Sequence, residues 1–78
     1  MQGVVVTTTG TGTTKAAAEA NANQNEVPKI IAVTQAYEAA HPGWTLQWSN
    51  PTIVNAVQDP QTGTWTATVQ SEGMPIPD

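Results

Sequence analysis

The sequence predicts an α+β domain of order β-α-(α)-β-β, an antiparallel sheet with one or two helices packed on one face. Three features predict it. A β-branched run stands near the start, an Ala-rich stretch of helical propensity follows, and two alternating segments then flank a strong turn signal.

The run from Val4 to Thr9 is β-branched throughout and reads as a strand. Gly10-Thr11-Gly12-Thr13-Thr14 follows as a turn, and Thr13 or Thr14 supplies a side-chain acceptor for the first free amides of a helix starting near Lys15. Lys15 to Gln24 is helical by propensity, with an apolar face made only of Ala. Pro28 then leaves two readings open. Either one helix continues and is kinked there, or Asn25 caps a second helix with Pro28 in its first turn. Ile30, Val33, Tyr37 and Ala40 share one helical face, with Ile31 beside it, and His41-Pro42-Gly43 ends the segment.

Trp44, Leu46 and Trp48 alternate with Thr45, Gln47 and Ser49, the pattern of a half-buried strand. Asn50-Pro51 interrupts it and Ile53 to Gln58 resumes. Asp59-Pro60-Gln61-Thr62-Gly63 is a turn, and Trp65, Ala67 and Val69 then alternate with Thr64, Thr66 and Thr68. Pairing across the turn sets Val57 against Trp65, Asn55 against Ala67 and Ile53 against Val69. The Trp44-Leu46-Trp48 set has the opposite parity, so one extra residue at Asn50-Pro51, a β-bulge, is needed to bring it to the same side. These elements make a single domain over 1–70. Residues 71–78, with Pro75 and Pro77, read as an extended, frayed tail.

Composition narrows the function. The apolar share is 38%, but eleven of those residues are Ala, with one Leu and no Phe. So short a chain with so thin a core needs a staple. Cysteine is absent, which leaves self-association or a larger protein assembly as the expected partner. Lys15 and Lys29 are the only basic residues besides His41, and the net charge is −4, so no positive stripe exists for nucleic acid. No apolar run approaches the ~20 residues of a membrane span. Thirteen Thr with few charges lean towards an extracellular or virion setting.

No arrangement of residues reads as a catalytic centre, a metal site or a cofactor cradle. The Gly10 to Lys15 turn lacks both the third Gly of a dinucleotide fingerprint and the P-loop spacing. His41 is the single His and fits a helix end. Glu19 and Glu26, seven apart, read as a solvated helix surface. Trp44, Trp48 and Trp65 are the largest side chains available to the core, and are also the candidates for stacking on a planar ligand. Thr7, Thr9 and Thr11, with Thr64, Thr66 and Thr68, line strand faces that meet water or another sheet.

The order of elements resembles that of the dodecins, small flavin-binding shells. The resemblance lies in topology. It implies a ligand-binding oligomer with an aromatic on the strand after the helix, where Trp44 or Trp48 stands. The charged, acid-rich sequence of that family is absent. The expected function is a non-enzymatic structural or assembly module, the alternative an oligomer that binds a small ligand on its Trp faces.

Overall fold

The computed structural model describes residues 3–78; Met1 and Gln2, the first two of the expected domain, lie outside the described residues. Among these, β1 (Val4–Gly12), α1 (Lys15–Ala40), β2 (Trp44–Trp48), β3 (Thr52–Gln58) and β4 (Trp65–Pro77) form an α+β fold of order β-α-β-β-β. All four strands join one antiparallel sheet built around β4. β1 runs along one side of β4, while β3 and β2 lie end to end along the other. The thirteen residues of β4 span about 43 Å at strand rise and the 26 of α1 about 39 Å at helical rise. Both therefore run most of the 49 Å length of the molecule.

α1 is one helix, which resolves the two readings of its middle. Pro28 removes the amide that would bond Gln24, and both residues are exposed, so the freed carbonyl faces water. Asn25 does not cap a second helix. Its Nδ2 donates to the Thr9 carbonyl at 3.0 Å, and one turn earlier Asn21 Nδ2 donates to the Thr11 carbonyl at 2.6 Å. Thr14 is the N-cap, its Oγ1 accepting from the Ala17 amide at 3.1 Å, and Gly43 turns the chain after the helix with φ +86°.

The Ala face of α1 settles directly on the sheet. A Cβ at Gly10 would stand 2.1 Å from the Ala22 amide nitrogen, so helix and strand backbones touch there. Ala18, Ala22, Ala67 and Val69 form the buried cluster, with Ala56 and Trp65 packed against it. Ile30, Val33 and Tyr37 carry the contact onwards as half-buried residues, whereas Ala40 and Ile31 are exposed.

The expected hairpin register shifts by one residue. Gln58, not Val57, pairs with Trp65, and Val57 pairs with Thr66, on the face away from the helix. The cause is a bulge at Val54, between Ile53 and Asn55. Ile53 still meets Val69, but Ala56 takes the place expected for Asn55 opposite Ala67, and Asn55 moves outward opposite Thr68. The bulge thus turns an apolar residue towards the helix and an amide towards water. The turn between is as expected: Asp59 Oδ1 accepts from the Gln61 amide at 2.8 Å, and Gly63 has φ +75°. The extra residue expected at Asn50-Pro51 is present, as a break between β2 and β3 and not as a bulge within one strand. Trp48 meets Gly73 and Thr52 meets Gln70, so one extra residue lies in the Ser49–Pro51 stretch.

Residues 71–77 are extended but not frayed, because they continue β4 and pair with β2. Pro75 and Pro77 are tolerated because β1 reaches only as far as Gly73. Beyond it, β4 pairs among the described residues on the β2 side only, and a missing amide hydrogen bond costs little where an edge is unpaired.

Candidate functional site

Trp44, Trp48 and Trp65 all lie on the helix side of the sheet and are half-buried, but they do not converge. Trp65 and Trp48 are separated by eight residues of β4, about 26 Å, and Trp44 lies about 13 Å further along. Trp48 is the best defined of the three. Its indole Nε1 donates to Thr34 Oγ1 at 2.8 Å, and its ring lies over Gly73, where a Cβ would come within 2.9 Å of the six-membered ring. Trp65 packs at the far end on the Ala cluster. Trp48 and Trp65 therefore each fill their own section of the helix–sheet layer.

The Thr residues expected on separate faces lie side by side. Thr11 is opposite Thr66 and Thr9 opposite Thr68, and β3 extends these rows with Val57 and Asn55. Thr7, Gln70 and Thr52 form the next row, while Thr64 stands in the turn. The helix covers the opposite side, so this surface is bare. Towards its other end, shallow depressions of about 230, 240 and 370 Å³ share Glu72 as a wall.

Glu26 overturns the reading of a solvated surface. It is fully buried, and its Oε2 accepts from Ser71 Oγ at 3.1 Å, while Oε1 has no partner. Thr8 Oγ1 is likewise buried without one. The signal for Glu26 was in the sequence, since stepping back by four from Ile30 passes through Glu26, Ala22 and Ala18, the inward row. An interior carboxyl with an unmatched oxygen costs stability.

His41 stacks on Tyr37 with ring centroids 4.3 Å apart, and among the described residues no group of three His, Cys, Asp or Glu gathers that could hold a metal ion. The Gly10–Gly12 segment belongs to β1 and is pressed on the backbone of α1, which accounts for its glycines by close approach. No described helix is long and apolar enough to cross a membrane. Comparison with protein-family models, curated proteins and solved structures finds no match to this chain.

Proposed function

We propose that this chain is a non-enzymatic assembly subunit, completed by association with further copies of itself. One observation carries the reading. The buried hydrophobic residues are Val6, Ala18, Ala22, Leu46, Ala67 and Val69, whereas Val5, Val27, Ile31, Ile53, Val54, Val57 and Met74 are exposed. More large apolar side chains thus stand in water than in the core, in a chain with no disulfide to compensate. The Thr-rich outer face, on which Glu72 is the one charged residue of β4, suits a virion or extracellular setting, where such surfaces pack against one another.

A second reading, an oligomer that binds a small planar ligand, has the half-buried, partly accessible Trp48 ring on the helix side of the sheet in its favour. The two readings part in solution. Sedimentation velocity at micromolar concentration is expected to give a mass that is a multiple of 8.2 kDa. A folded monomer at every concentration overturns the assembly reading. A copurifying chromophore that quenches Trp fluorescence favours the second.

A further inference from the structure

We infer that the free edge of β3 is the contact with a second copy of this chain, made by antiparallel pairing of the two β3 strands about a twofold axis at Asn55. The inference rests on the assembly reading and names its surface.

The two sides of the sheet are treated differently. On β1, Asn21 and Asn25 of the helix occupy the outward carbonyls of Thr11 and Thr9. β3 pairs with β4 alone, and no described strand pairs its other edge. An open edge is ordinarily guarded by charge, by proline, by shortness or by a bulge, and of these β3 has only the last. β3 has seven residues, Thr52-Ile53-Val54-Asn55-Ala56-Val57-Gln58, with neither a charge nor a proline, and only the bulge at Val54 interrupts it. Every residue but Ala56 is exposed, Val54 by 54% and Val57 by 59%.

The helix adds to the same side. Val27, Ile31, Thr34 and Glu38 recur at the spacing of one helical stripe. Thr34 holds Trp48 and Glu38 accepts from Thr45 Oγ1, both on β2, so the stripe faces the β2–β3 side. Val27 and Ile31 are exposed further along it. Five of the seven exposed large hydrophobic residues thus belong to β3 or to this flank. Charge permits the contact as well. The chain is acidic, yet Trp44 to Gln58 contains no Asp, Glu, Lys or Arg, so two copies meet there without like charges opposed.

A second copy fits this edge because the edge is self-complementary. With Val54 set aside as the bulged residue, a twofold at Asn55 places Ile53 opposite the Ala56 of the other copy on the helix side. On the outer side Thr52 meets Val57, and the two Asn55 amides face each other. Each pair lies on a common face, and apolar residues meet apolar or β-branched ones.

The test uses the full chain with a charge at the axis. Asn55→Asp is expected to weaken association by at least about tenfold in sedimentation, because two carboxylates then stand directly opposed. Asn55→Lys is expected to do the same, and an equimolar mixture of the two variants to restore a complex containing both chains. The mixing arm remains informative if either variant alone fails to fold. Thr9→Asp puts the same charge in the same row two strands away and is expected to leave association intact. If Asn55→Asp associates like the unmodified chain, or the mixture forms no mixed complex, the β3 contact is wrong while self-association stands. Dissociation by Thr9→Asp alone moves the contact to the outer face and also overturns it. A monomeric unmodified chain removes both the contact and the reading beneath it.

Discussion

Gly10→Ala is expected to cost about 3 kcal/mol or more and to leave little folded protein, a large effect for a single methyl group. That methyl has no room, because its carbon would lie 2.1 Å from the Ala22 nitrogen and 2.6 Å from the Ala22 Cα. Backbone atoms of a packed helix do not step aside as a flexible side chain does, so the helix must lift off β1. Lifting it exposes Ala18 and Ala22, breaks the Asn21 and Asn25 bonds to β1, and opens the main apolar cluster. Gly43→Ala is the informative contrast. Gly43 has φ +86° but nothing within 4 Å of its added Cβ, so only backbone strain of about 1 kcal/mol is expected there. Circular dichroism melts of both variants give the comparison. Equal melting temperatures for the two would contradict the close helix–strand contact.

Trp48→Ala is expected to destabilise the protein by about 3 kcal/mol, lowering its melting temperature by more than about 10 °C. The indole covers Gly73, a position too crowded for a side chain of its own, and ties β2 to α1 through Thr34. Trp48→Phe keeps most of the ring and loses the Nε1 hydrogen bond, so about 1 kcal/mol is expected. The pair separates two roles for this residue. A Trp48→Ala variant as stable as the parent chain would mean that the ring serves a ligand and not the fold.

Much of the architecture was legible because its determinants are local. Thr14 as cap, the Asp59–Gly63 turn and the alternation around Trp48 and Trp65 each depend on residues close in sequence. The need for an extra residue near Asn50-Pro51 followed from parity alone. What escaped depends on tertiary neighbours. The bulge at Val54 has no Gly or Pro to mark it, and it arises where Ala56 is the better residue beneath the helix. Asn21 and Asn25 read as weak helix formers, and their purpose is visible only once β1 lies alongside. Residues 71–77 resembled a tail because their prolines oppose a central strand, and among the described residues β1 pairs β4 only as far as Gly73, so the prolines lie beyond that pairing. The candidate site was least legible of all, since an open edge is a property of strand order.

The proposal that this chain is completed by further copies of itself is tested most directly by its melting temperature across a roughly hundredfold dilution, with mass followed in parallel. If association supplies part of the stability, dilution is expected to lower the melting temperature by several degrees as the assembly comes apart. A melting temperature that does not move, in a chain that sediments as a folded 8.2 kDa monomer throughout, would contradict it.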